Sequence, residues 1–209
     1  MHTESCGVSS GNANARDGLP TAVVQTTRLF FALWPGDRTR SEFVHATRKA
    51  VRTCGGRPVP EGNVHATLLF LGSVAVSRLQ EVVAIAAEVA GSNAAAAPFE
   101  LVFDRVEYWE KARVLVATAR TSAGGTAAGA LARELLEATH RGGFEPDPKP
   151  FRPHVTLARK VGKQTRPLET HTVTWVCNAF ALVESRTLPD GPVYSVVETF
   201  PLTEGVRRG

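Results

Sequence analysis

Two short stretches hold the residues best suited to chemistry: His65-Ala66-Thr67-Leu68 and His154-Val155-Thr156-Leu157. Each lies in an apolar run that reads as a β-strand, 64–72 (VHATLLFLG) and 151–160 (FRPHVTLARK). Residues two apart on a strand share a face. His65 and Thr67 are therefore neighbours, as are His154 and Thr156. One such pair is ordinarily structural. Two pairs at equivalent places in a repeated pattern point to one site that both face. Histidine exchanges a proton near neutral pH, so two of them can divide the work of an acid and a base. Threonine hydroxyls can donate to an oxyanion. The set fits in-line displacement at phosphorus, with the histidines serving the entering and leaving oxygens. Arg152 precedes the second pair by two residues, and Pro153 biases it toward extended backbone, so it can continue the same face and bind phosphate. Lys149 and Arg159 lie close in sequence.

The surrounding elements repeat. A strand over 28–34 is followed by a helix over 38–52, a loop over 54–63 and the first His-x-Thr strand. A strand over 113–119 is followed by a helix over 126–140, a loop over 145–153 and the second. This order predicts two similar lobes related by a pseudo-two-fold axis. Ser77 and Gln80 have capping-box spacing before a helix ending near Gly91. A strand is expected over 99–109, and TSAGG (121–125) reads as a turn. The last strands are expected around 171–185 and 193–202. Residues 1–27 read as a flexible extension, 28–202 as the bilobal domain and 203–209 as a tail.

At 209 residues and 43% hydrophobic, the chain can bury a core, and no apolar run approaches the ~18 residues of a membrane span. The start lacks a secretory pattern, so a cytoplasmic protein is expected. Three cysteines, Cys6, Cys54 and Cys177, give no disulfide framework or metal pair; Cys6 falls in the tail and Cys177 in a strand core. A net charge of +4 is compatible with a polyanionic partner without requiring one. Two histidines with no carboxylate or thiolate at ligand spacing make a poor zinc set, so neither metal nor cofactor is expected. Glu61 and Asp147 precede the motifs in loops without such spacing. His2, His45, His140 and His171 read as surface or structural.

With its flanks RLFFALWP, NVHATLLFLG and FRPHVTLAR, the pair HATL and HVTL resembles the H-x-T-x motifs of the 2H phosphoesterase superfamily. The segment ALVESRTLPDGPVYSVVETFPL is similar to the last two strands of the bacterial and archaeal RNA 2′,3′-cyclic phosphodiesterases, historically called 2′-5′ RNA ligases. The resemblance runs from Arg28 to Leu202. It implies an α+β fold of two pseudo-symmetric lobes, each an antiparallel sheet with helices on its outer side, facing each other across a central cleft. It implies hydrolysis of RNA 2′,3′-cyclic phosphate ends to 2′-phosphomonoesters, with His65 as proton donor to O3′ and His154 as proton acceptor from water. Thr67, Thr156 and Arg152 would hold the phosphate oxygens. Spacing alone leaves the two histidine roles interchangeable. Phe30, Phe31, Phe151 and Tyr194 are candidates to stack the terminal base. A monomer is expected, because one chain completes the site. The competing readings are 2′-5′ RNA ligation or cleavage, a small-molecule cyclic phosphodiesterase, and an RNA-end binder without turnover.

Overall fold

The structure is a computed structural model that describes residues 25–92, 97–120, 122–147, 150–162, 170–189 and 191–202. Nine strands and three α-helices are seen among them, in the order β1 (Thr26–Leu33), α1 (Asp37–Thr53), β2 (Arg57–Pro58), β3 (Ala66–Ala75), α2 (Leu79–Gly91), β4 (Phe99–Trp109), β5 (Val114–Ala119), α3 (Ala123–Arg141), β6 (His154–Arg159), β7 (Val173–Cys177), β8 (Ala179–Leu188) and β9 (Gly191–Pro201). They form two antiparallel sheets, ordered β3-β1-β8-β9 and β2-β6-β5-β4-β7. The α+β, two-sheet reading holds.

The repeat is visible in the pairing. β1 lies beside β3 as β5 lies beside β6, and β8 flanks β1 as β4 flanks β5. Each His-x-Thr motif thus opens the equivalent strand of its own sheet. The helices couple the halves. α1 leaves β1 of the first sheet and packs against β6 and β7 of the second. Its fully buried Phe43 meets Phe103 and Trp175 edge-on at centroid distances of 5.0 and 6.1 Å. Replacing Phe43 by Ala would cost about 3–5 kcal/mol, the range for a buried aromatic. α3 follows β5 yet packs against β3. One core cluster, from Leu29 and Phe31 to Val155 and Trp175, consequently runs through both halves.

Local expectations fared unevenly. β1 starts at Thr26, and Thr27 Oγ1 donates to Glu184 at 2.7 Å, so the ordered sheet begins two residues before Arg28. Gly72 does not end its strand. It sits inside β3 at φ +74°, beside a register shift opposite Leu29 and Phe30, where glycine accepts the left-handed conformation. The Ser77–Gln80 capping box does not form; a 3-10 turn over Val76–Arg78 leads into α2, with Arg78 at the N-cap. Arg78 instead reaches the C-terminus of α3, donating to the carbonyls of Gly142 (2.7 Å) and Gly143 (3.3 Å) and covering the Phe144 ring. Within the stretch read as a turn, Ser122 caps α3, its Oγ accepting from Gly125 N at 3.3 Å. Two glycines in a first helical turn hid the helix start. The run 171–185 is two strands in different sheets, divided at Asn178. Continuous β-favouring composition concealed that break. The stretch read as a loop over 54–63 holds β2 and a 3-10 turn, Glu61–Asn63. Cys54 and Cys177 are buried, and burial pushes the Cys177 thiol well above its ordinary pKa. Cys6, His2 and Lys149 fall outside the described residues.

Candidate active site

His65 sits one residue before β3, and His154 is the first residue of β6. Each is held the same way. Nδ1 of His65 lies 2.7 Å from the carbonyl oxygen of Asn63, and Nδ1 of His154 lies 2.7 Å from that of Arg152. A carbonyl can only accept, so Nδ1 must carry the hydrogen in both rings. The free tautomer therefore leaves Nε2 of each ring unprotonated, with its lone pair available for proton transfer. In both motifs the residue two positions upstream supplies the orienting oxygen. The Thr67 hydroxyl lies 3.1 Å from Nε2 of His65 and can donate to it. Thr156 shares the face of His154, and both threonines are half-buried.

The environments differ. His65 packs among Phe30, Trp34 and Tyr194, at centroid distances of 5.2, 5.5 and 5.1 Å, with the indole nearly parallel to the imidazole. This enclosure penalises the cation and pushes the His65 pKa down to about 4. The Asn63 carbonyl works against that shift, and the charges of Arg159 and His154 add to it. His154 is also lowered, chiefly by burial and then by the Arg152 charge, against the Arg152 carbonyl. His65 is the more strongly perturbed of the two. The charge of His154 is among those that depress His65, so the two rings are electrostatically coupled.

Arg152 takes a definite place. Its guanidinium forks onto Glu107 at 2.8 and 2.7 Å and lies 5.2 Å from the Trp109 centroid. Glu107 also accepts from Thr118 Oγ1 (3.0 Å) and Trp109 Nε1 (3.2 Å). These donors and Arg152 outweigh burial and hold its carboxyl below the usual range. Trp109 in turn packs on His154 at 4.5 Å.

The aromatic candidates separate. Phe31 is fully buried against Phe180 on the core side of β1, because alternation turns it away from Phe30, so it stacks no base. Phe30 faces His65 but is 2% exposed and forms the floor under that ring rather than an open platform. Phe151 packs against the main core. Tyr194 lines a cavity of about 630 Å³ shared with Phe30, Phe70, Arg28 and Arg159. Phe70, overlooked in the sequence, is 51% exposed there. Trp34, Trp109 and Glu107 were overlooked as well. The spacing Phe30-Ala32-Trp34 and Glu107-Trp109 placed them on shared faces, but nothing in the sequence brings those faces to the histidines.

Among the described residues no group of three His, Cys, Asp or Glu could hold a metal ion, and no helix is long and apolar enough to cross a membrane. The sequence profile of the 2′-5′ RNA ligase superfamily matches residues 36–187, spanning both motifs. The chain belongs to this superfamily. The RNA 2′,3′-cyclic phosphodiesterase of Thermus thermophilus is 36% identical over 186 residues, covering 84% of this chain and 90% of that protein. The Escherichia coli K12 enzyme of the same name is 27% identical over 178 residues, covering 85% and 97%. In structure, E. coli LigT complexed with 3′-AMP superposes with a TM-score of 0.72 at 26% identity, over 86% of this chain and 99% of that one.

Proposed function

We propose that this protein hydrolyses 2′,3′-cyclic phosphates at RNA 3′ ends to 2′-phosphomonoesters. The observation that carries the reading is the doubled histidine geometry: two imidazoles, each locked by a carbonyl on Nδ1, each offering Nε2. The names of the two relatives supply the substrate class. Nε2 of His154 takes a proton from the attacking water. The water oxygen bonds to phosphorus, the P–O3′ bond breaks, and protonated His65 delivers its Nε2 proton to O3′. Thr67 and Thr156 donate to the phosphate oxygens. Arg152 shares its charge between Glu107 and the phosphate. In the empty site His65 is neutral at pH 7, so its donor state forms as the phosphate anion enters and offsets the cost of the cation. One chain supplies both motifs, which supports a monomer.

The test is incubation of a short RNA with a 2′,3′-cyclic end in EDTA, with identification of the product end. The expected product is a 2′-phosphate, and His65→Ala and His154→Ala should each slow its formation by roughly 10²-fold or more. A 3′-phosphate product would exchange the roles of the two histidines. Absence of turnover with retained RNA binding would overturn the hydrolase reading.

A further inference from the structure

Trp34 directly follows β1, and Pro35 biases it toward extended backbone, so it continues the strand's alternation on the face of Phe30 and Ala32. Its indole meets the His65 imidazole at a centroid distance of 5.5 Å and an interplanar angle of 23°. The other rings around His65 lie differently: Phe30 is tilted at 42°, and Tyr194 is nearly perpendicular at 83°. Trp34 is thus the ring stacked face to face with the imidazole. It is half-buried and packs on the small cluster of Phe30, Ala32, Ala181 and Val183, apart from the main core. Its contacts therefore fall on the site.

The indole is itself held. Arg40, whose amide closes the first turn of α1 on the Gly36 carbonyl, places its guanidinium 5.5 Å from the indole centroid. Helix stability does not explain that placement. A cation in the first turn opposes the helix dipole. The ion pair of Arg40 Nη1 with Asp37 Oδ1, at 2.8 Å, ends on an exposed carboxylate and contributes little. The Arg40 side chain is only 16% exposed, and its Nε is buried with no hydrogen-bond partner among the described residues. Such a donor is costly to bury. The π face of the indole attracts a cation and accepts weakly from N–H, and so offsets that cost. Arg40 and its partner Asp37 are the charged groups beside Trp34, whereas the charges felt at His65 are those of Arg159 and His154. Arg40 therefore acts on His65 through the indole and not through its charge.

We infer that Trp34, pinned by Arg40, is a positioning residue for His65: its π face sets the plane of the imidazole and stabilises the imidazolium that delivers the proton to O3′. The inference rests on the hydrolase reading for the acid role of His65. The imidazole is then fixed twice, at Nδ1 by the Asn63 carbonyl and in its plane by the indole, which leaves Nε2 to give the proton. The aromatic enclosure penalises the cation through burial, and the indole offsets part of that penalty, since tryptophan is the ring that attracts a cation most strongly.

The experiment measures kcat and KM against pH for an RNA with a 2′,3′-cyclic end, in wild type, Trp34→Phe, Trp34→Leu, Arg40→Met and Trp34→Leu/Arg40→Met. Phenylalanine keeps a π face, whereas leucine keeps only an apolar neighbour. Trp34→Leu should lower kcat roughly 10-fold and change KM by less than about 2-fold. It should also move the alkaline limb of the kcat profile, which reports the donor in the substrate complex, to lower pH by up to about one unit. Trp34→Phe should restore most of the loss. Arg40→Met should move the limb in the same direction by less, and should add nothing to Trp34→Leu in the double variant, because it acts through the indole. Equal losses in Trp34→Phe and Trp34→Leu, an unmoved limb, or additive losses in the double variant each overturn the inference and leave the hydrolase reading intact. Should Trp34→Leu fail to fold, Arg40→Met decides alone, and an unmoved limb overturns the inference. If the wild type does not turn over the cyclic end, the hydrolase reading fails instead. The role of Trp34 is then decided by NMR titration of His65 Nε2 in inorganic phosphate, where equal midpoints in wild type and Trp34→Leu overturn it and a lower midpoint in Trp34→Leu supports it.

Discussion

Lowering the pH should destabilise this protein through His65 by an amount that can be isolated. In the unfolded chain a histidine titrates near its ordinary value of about 6.5, whereas folding pushes His65 down to about 4. Between these values the unfolded state binds a proton that the native state refuses. Stability is therefore unaffected by His65 above about pH 7, is lost as pH falls through 6.5, and levels off below about 4. Going from about pH 7 to 4.5, that single difference amounts to about 2 kcal/mol. For a chain of this length this is a fall in Tm of roughly 4–8 °C. Carboxylates elsewhere also titrate in this range, so the informative quantity is a difference of differences. Urea unfolding of wild type and His65→Gln at both pH values supplies it. The variant loses the packing of imidazole against Phe30, Trp34 and Tyr194 at either pH, and that loss cancels. Wild type should lose about 2 kcal/mol more than the variant on acidification. Equal losses would mean that the ring is protonated in the native state at little cost, and the argument from enclosure would be wrong.

The same shifts set the pH dependence of the reaction. Since kcat/KM reports the free enzyme and both histidines are lowered, it should peak below neutral pH and decline toward alkaline pH as the donor empties; a plateau from about pH 7 to 9 would count against the pair. Glu107 offers a further test, because it neutralises the arginine beside His154. Glu107→Gln should shift the His154 limb of that profile to lower pH, and Arg152→Gln, which removes a charge that depresses His154, should shift it upward. Shifts of the same sign in both variants would show that Glu107 and Arg152 do not act on His154 through charge.

The sequence alone determined the catalytic alphabet. A period of two places His65 with Thr67 and His154 with Thr156 whatever sheets receive them, and the repeated order of strand, helix and motif strand requires equivalent positions for the two pairs. These are local facts, and the backbone enforces them within a few residues. Elements with strong periodicity, such as the helix around Phe43 and the strand Phe99–Trp109, were legible for the same reason. What the tertiary structure decided are the contacts between distant segments. Which nitrogen of each imidazole is free follows from carbonyls whose direction depends on the fold of the preceding loop. The depression of His65 comes from rings on β1 and β9, and the placement of Arg152 comes from a carboxylate on β4. Asn178 divides an unbroken β-favouring run because the two sheets, not the residues, demand a crossing there. The opposition of Arg57 and Arg159 exists only because a two-residue strand pairs in one register with β6. Proton affinity and charge repulsion fall off over a few ångströms of space, and only the folded chain sets those distances.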